Sequence, residues 1–368
     1  MGFPLVKKKQ PSEMGKAPGQ DLPLGRKPTI RDVADACGLA PSTVSNALAD
    51  KAIVRPETKK FVREVASSLG FRASTMAKAL RTGKTFTIGM VVSDITNPFY
   101  AEIFRGVEET LSAAGYHLLL ANTDFDEAKQ SLRVRHLVER QIDGLILSSC
   151  SPDTGDVEHL LGADVPVVLL MRRHTVPAGH VLDFCGLDNR HGMDAALRHL
   201  FENGHRRIGL INGPETSSNS AERLEEFRRF AVRHFGEVDP SLITEGPYSL
   251  ASGQRNFMQL MSLDTPPSAI ICSQDEIALG AMIKAEKLKL DVPGDISLIG
   301  WDDTPVCAFP QINLTTIRAS KWDLGANAAR LMISRIQYPQ AREEEILMRP
   351  ELVIRGSVAP VTGKLATG

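Results

Sequence analysis

Beyond Lys84 the chain repeats one device: a short, almost continuous apolar run, too brief for a buried helix, followed by a stretch with helical spacing. The runs read TIGMVVS, HLLLAN, DGLILSS, VPVVLL, RIGLING, AIICSQD and ISLIGWDD. A strand loses its polar alternation when both faces of its sheet are covered, as happens in parallel sheets clad by helices. Segments such as Pro98 to Ala114, apolar on one face, supply the cover. The pattern predicts a doubly wound α/β body. About 280 residues suit two such lobes, and a small ligand would sit in the crevice facing the carboxyl ends of their strands.

The N-terminal part has another texture. A formal charge of −1 conceals +9 over residues 1–84, where 16 Lys and Arg meet 7 Asp and Glu, and −10 over the remainder. A basic block ahead of an acidic body suits a polyanion partner, although solvated charge alone gives the same tilt. Residues 1–28 hold five prolines and four glycines and show no apolar period, so they predict a disordered basic arm, either a brush for DNA phosphates or a plain solvated tail.

The stretch TIRDVADACGLAPSTVSNALA, Thr29 to Ala49, predicts two short helices around one glycine. Thr29 and Asp32 can form a capping pair, and Ile30, Val33, Ala34 and Cys37 share a face. Gly38 supplies the turn, Pro41 opens the second helix where its missing N–H costs nothing, and Leu39, Val44, Ala47 and Leu48 look inward. A third helix, in RPETKKFVREVASSLG, turns Phe61 or Val62, Val65, Ala66 and Leu69 to the same small core. Ala34, Gly38 and Val44, spaced by four and six, match a helix-turn-helix. That leaves Pro41, Ser42, Thr43, Ser45 and Asn46 outward on a helix of major-groove size, and these with Thr29 are the candidate DNA contacts; a mere helical hairpin is the alternative. Asn46 can read adenine, and the serines can donate to base edges or phosphates.

Other chemistries fail on spacing. TGKT at 82–85 ends like a phosphate loop, but Lys78 occupies the position that requires glycine. No G-x-S-x-G, H-E-x-x-H or G-x-G-x-x-G occurs, and nine histidines show no ligand pairing, so no enzyme, metal or cofactor is expected. Cys37, Cys150, Cys185, Cys272 and Cys307 stand singly, as reduced thiols do. No run is long enough to span a membrane and MGFPLVKKKQ lacks a secretory core, so a cytoplasmic protein is expected.

The segments TIRDVADACGLAPSTVSNALAD, VRPETKKFVREVASSLGF and STMAKALRTGKTFTIGMVVSDITNPFYAEIFRGVEE, followed by GHRRIGLINGP, ERLEEF, DEIALGAM, VPGDISLIGWDD and LTTIR, closely resemble the lactose/purine repressor (LacI/GalR) family of bacterial transcription regulators. The resemblance runs from about Thr29 to Val358. It implies a helix-turn-helix headpiece at 29–73 and a hinge helix and linker at 74–85. It implies a periplasmic-binding-protein-like body with one lobe from 86–187 plus 318–347 and the other from 188–317 plus 348–362. Ser74 would cap the hinge helix, Lys78 and Arg81 would meet DNA, and Leu80 would wedge the minor groove of an operator shared by two subunits; read without the family, Leu80 is an ordinary linker leucine.

The resemblance also implies an effector site. Phe99 and Tyr100 match residues flanking a bound ring, Arg223 a donor and Asp302 an acceptor, with Ser217, Asn219, Tyr248 and Gln274 at further pocket positions. Arg and Asp converging on one cleft suit a polyhydroxylated ligand, although each alone is commonly a surface ion-pair residue. Purine-binding relatives carry arginine where Ser217 stands, which speaks against a purine. Met171 replaces an aspartate common in the family and is followed by Arg172 and Arg173. If those arginines face the cleft, a sugar acid or sugar phosphate suits it; if they face solvent, a neutral sugar does. The tail LVIRGSVAPVTGKLATG lacks a leucine heptad, so a homodimer is expected. The expected partners are operator DNA and a small effector acting on carbohydrate or sugar-acid genes. The rivals are a co-repressor-dependent regulator and a solute-binding protein that never meets DNA.

Overall fold

The computed structural model describes residues 28–71, 83–148, 155–174, 176, 180 and 182–361. The chain divides into two compact units, residues 1–85 and 86–368. Residues 1–27 of the expected arm at 1–28 and residues 74–82 of the expected hinge at 74–85, with Lys78, Leu80 and Arg81, lie outside the described residues, as does Cys150.

In the first unit α1 (Ile30–Cys37), α2 (Pro41–Leu48) and α3 (Pro56–Ser68) close on one core of Val33, Ala34, Cys37, Val44, Ala47, Val54, Val62, Val65 and Ala66. The Thr29 backbone N–H donates to Asp32 Oδ2 at 2.6 Å and the Asp32 backbone N–H donates to Thr29 Oγ1 at 3.4 Å, the capping box that starts α1. Gly38 ends it at φ 64°, where a side chain would be strained, and Leu39 N–H donates back to the Ala34 carbonyl at 3.0 Å. With Pro41 at its first position, α2 is separated from the last residue of α1 by only three residues.

The second unit contains two six-stranded sheets. The first has the order β11-β5-β4-β3-β1-β2 and is wholly parallel: β1 (Thr87–Val92), β2 (His117–Asn122), β3 (Gly144–Ser148), β4 (Val167–Leu170), β5 (Asp183–Leu187) and β11 (Glu345–Met348). The second repeats the order as β12-β10-β9-β8-β6-β7: β6 (Ile208–Asn212), β7 (Ile243–Glu245), β8 (Ala269–Cys272), β9 (Ser297–Asp302), β10 (Thr315–Arg318) and β12 (Glu351–Val353). Here β12 runs antiparallel to β10. Every residue of β3, β4, β5, β6, β8 and β9 is buried, as continuous apolar runs require.

Helices cover both faces of each sheet. The first has α4 (Pro98–Ala113) and α11 (Lys321–Gln337) on one side and α5 (Glu127–Glu139) and α6 (Asp156–Gly162) on the other. The second has α7 (Asn189–Glu202) and α8 (Ser218–Phe235) against α9 (Leu250–Met261) and α10 (Asp275–Lys287). In each lobe one helix pair meets backbone to backbone over two glycines. A Cβ on Gly106 or Gly325 would lie 2.1 Å from the carbonyl oxygen of Trp322 or Ile103, and one on Gly253 or Gly280 would lie 2.1 or 2.2 Å from that of Ile277 or Leu250.

The chain passes between the sheets three times: after β5, after β10 and between β11 and β12. The boundaries read from sequence at 318 and 348 each shift by one residue, because Arg318 is the last residue of β10 and Met348 the last of β11. Strand pairing, which holds each residue to its sheet, decides the point. Cys37, Cys185, Cys272 and Cys307 are free and buried, and burial pushes the Cys185 thiol up to about 12. Among the described residues no helix is long and apolar enough to cross a membrane.

Candidate functional site

In the headpiece, α2 turns Val44 and Ala47 inward, Pro41 and Ser42 are exposed, and Thr43, Ser45 and Asn46 are half-buried along its outer side. Thr29 is exposed, but its hydroxyl is held by Asp32, so it offers lone pairs rather than a free donor.

In the body, residues at the carboxyl ends of both sheets surround a cleft. Its inner chamber, about 40 Å³, is lined by Asn97, Phe99, Tyr100, Phe125, Met171, Arg172, Asn219, Arg223, Tyr248, Ser273, Gln274 and Asp302. An outer chamber of about 620 Å³ shares Asn97, Phe125, Arg172 and Tyr248 with it and adds Asp94, Glu127, Thr216, Ser217, Ser249 and Glu276. Eight of the nine sequence candidates line the inner chamber. Ser217 does not: it lines the outer one and accepts from Tyr248 Oη at 3.3 Å.

The local sequence explains these placements. Each lining segment begins where a strand ends and a helix or turn takes over, as in open α/β sheets generally. Asn97 accepts from Phe99 N–H at 2.9 Å, starting α4 and setting Phe99 and Tyr100 on its first turn. Phe99 and Tyr100 meet edge to face at 5.7 Å, and Tyr100 Oη lies 3.4 Å from Ser148 Oγ. Gly213 leaves room for the Tyr248 ring, which would lie 2.3 Å from a Cβ there. Three lining residues, Phe125 (φ 58°), Met171 (φ 67°) and Asp302 (φ 114°), hold the left-handed backbone that favours glycine. Such strain persists only where the surroundings impose it, and it gathers at functional sites.

Arg223 is 3% exposed and held from two sides. Its Nε donates to Asn189 Oδ1 at 2.9 Å, its Nη1 donates to the Ser273 carbonyl at 2.6 Å, and its guanidinium lies 3.8 Å from the centre of the buried Trp301 ring. Burial lowers its pKa from the ordinary arginine value. Asp302 is pushed up to about 8, first by burial and then by the charge of Asp275, with Arg223, Lys321 and Gln274 opposing. Asp275 stands behind it, accepting from Thr304 N–H (2.7 Å), Thr304 Oγ1 (2.9 Å) and Thr316 Oγ1 (2.6 Å). The carboxylate fits because position 300 is glycine, whose Cβ would lie 2.4 Å from Asp275 Oδ1. Gln274 hydrogen-bonds Asp302 but leaves its own Oε1 buried without a partner among the described residues.

The two arginines after Met171 part company. Arg172 is 9% exposed, lines both chambers, donates to Ser93 Oγ at 3.4 Å and lies 5.7 Å from the Tyr248 ring centre. Arg173 lines neither, stacking on Phe184 at 4.0 Å and pairing with Glu345 and Glu222. Sequence reasoning left out Asn97, Phe125, Ser273 and the outer carboxylates Asp94, Glu127 and Glu276, although most of them follow strand ends, which is the signal that could have found them. Among the described residues no group of His, Cys, Asp and Glu could hold a metal ion.

A three-helix unit with an outward helix and a two-lobed body with a cleft define a ligand-binding regulator of DNA. Comparison with known proteins agrees. Residues 29–74 match the model for bacterial regulatory proteins of the lacI family, and 197–358 that for a periplasmic binding protein-like domain. The HTH-type transcriptional repressor PurR of Photobacterium profundum is 33% identical over 332 residues, covering 90% of this chain and 98% of its own. A solved complex of the transcriptional regulator CelR with cellobiose is 27% identical with a TM-score of 0.70, covering 90% of this chain and 100% of its own. The lac repressor dimer bound to operator and the anti-inducer ONPF, 24% identical over 91% of this chain and 100% of its own, shares the fold at a TM-score of 0.79. The chain belongs to the lacI family of bacterial regulatory proteins.

Proposed function

We propose that this protein is a transcriptional repressor that binds a near-palindromic operator as a homodimer and takes a sugar or sugar derivative as effector in the body's cleft. Pro41, Ser42, Thr43, Ser45 and Asn46 would face the major groove from α2, and Lys78, Leu80 and Arg81 would act at the minor groove. Effector binding turns one lobe against the other, and the hinge segments carry that turn to the headpieces, changing operator affinity by about 5- to 150-fold.

The observation that carries the effector class is the convergence of Arg223 and Asp302, both more than nine-tenths buried, on a chamber walled by Phe99, Phe125 and Tyr248. A ring with adjacent hydroxyls uses all three features: donor, acceptor and aromatic wall. The cellobiose seen with CelR supports the class, and Ser217 in place of the arginine of purine-binding relatives weighs against a purine.

Two measurements test this. Full-length protein should prefer a dyad operator over random duplex at physiological salt. A sugar or sugar derivative at a hundred times its Kd should add about 2.7 kcal/mol of stability and change operator affinity. Stabilisation by nucleobases alone would overturn the effector class, and absence of dyad preference with and without metabolites would overturn the repressor.

A further inference from the structure

Resting on the sugar-derivative reading, we infer that the inner chamber is the seat of a carboxylate, so that the effector is an acidic sugar bound acid-end inward, with Arg172 as the residue that selects it.

Three features of the cleft lead there. The first is charge. The inner chamber is lined by two guanidiniums, Arg172 and Arg223, and one carboxyl, Asp302. The outer chamber reverses the sign, with Asp94, Glu127 and Glu276 around it and only Arg172, at the boundary, of positive charge. A ligand that is negative at one end and hydroxylated along the rest matches this polarity, its hydroxyls donating to the outer carboxylates.

The second is size. By the same measure the inner chamber offers about 40 Å³ against about 620 Å³ outside, so the inner end suits a small terminal group such as a planar carboxylate better than a sugar ring. The bulk of the ligand belongs in the 620 Å³ outside. The third is pairing. Asp302, pushed up to about 8, carries its proton at neutral pH and can donate to an incoming oxyanion instead of repelling it. The buried Gln274 Oε1 beside it, without a partner among the described residues, can accept from a hydroxyl next to the acid carbon.

The test is a thermal-shift and calorimetry panel on the full-length protein at pH 7: hexonates and hexuronates, the matched neutral hexoses, and hexose 6-phosphates, each against wild type, Arg172→Gln and Arg172→Lys. We expect an acid to bind at least tenfold tighter than its neutral parent and than the phosphates. Arg172→Gln should erase that preference by lowering acid affinity at least tenfold more than neutral-sugar affinity, and Arg172→Lys should restore part of it. Neutral hexoses binding as tightly as the acids, phosphates binding more tightly, or an acid preference surviving Arg172→Gln would overturn the inference while leaving a sugar effector standing. A panel in which no acid binds also overturns it, and nucleobase binding in place of every sugar would remove the reading beneath it.

Discussion

The two lobes of the body share a strand order and a glycine-mediated helix contact, yet they bring opposite materials to the cleft. The first presents rings, Phe99, Tyr100 and Phe125, with Arg172 as its one inner charge. The second presents a hydrogen-bonded polar lattice: Asn189 holds Arg223, Asp275 holds Thr304 and Thr316, and Asp302 stands between the two groups. Shared architecture fixes where the strand ends point, and the residues just beyond them decide what a ligand meets. The difference is energetic too. A ring wall tolerates small changes of shape, whereas a buried polar lattice is costly when one member goes missing.

The largest effect should fall equally on both lobes. Gly106→Ala and Gly280→Ala each drive a methyl onto a carbonyl oxygen, at 2.1 and 2.2 Å, and should each cost about 3 kcal/mol in urea unfolding. Unequal losses would break the symmetry. Next comes the asymmetry. Asp275→Ala removes the acceptor for three buried donors and should cost about 3 kcal/mol, while Tyr100→Phe in the ring wall, losing one long bond to Ser148, should cost about 0.5 kcal/mol in the same assay. Gly38→Ala, in the headpiece, should cost about 1 kcal/mol, read from the headpiece's own amide exchange.

The pH prediction concerns the second lobe alone. Asp302 keeps its proton up to about 8 in the native protein, while the unfolded carboxyl ionises from 3.8. The native state therefore binds the extra proton, and the stability it brings is present at acid pH and lost as pH rises to about 8. Asp302→Asn should flatten that decline between about pH 4 and 8, measured by urea titration at fixed pH. Binding of a carboxylate should weaken as pH passes about 8, where Asp302 ionises among Asp275, Arg223, Lys321 and Gln274 and the chamber loses a donor beside Arg172 and Tyr248.

Much of this was legible in the sequence because its signals are local. The capping box of Thr29 and Asp32, the αL turn at Gly38 and the apolar run of each strand declare themselves within a few residues. The resemblance led to eight of the residues that share the inner chamber. What stayed hidden depends on partners distant in the chain. Nothing around Gly106 announces Trp322, and nothing in LLMRRH tells that Arg172 turns to Ser93 while Arg173 turns to Glu345. Asp275 opens a helix in DEIALGAM like any first-turn acid; its grip on Thr304 and Thr316 exists only once β9 and β10 lie beside it.

Three strand-to-strand passages tie the lobes together instead of one linker. A single tether would let the halves drift apart in any direction, whereas three ties hold them together and leave hinge rotation as the soft coordinate. Whatever fills the cleft can thus do mechanical work along that coordinate only, so ligands of quite different shape would send the same kind of signal and differ only in how far they turn it.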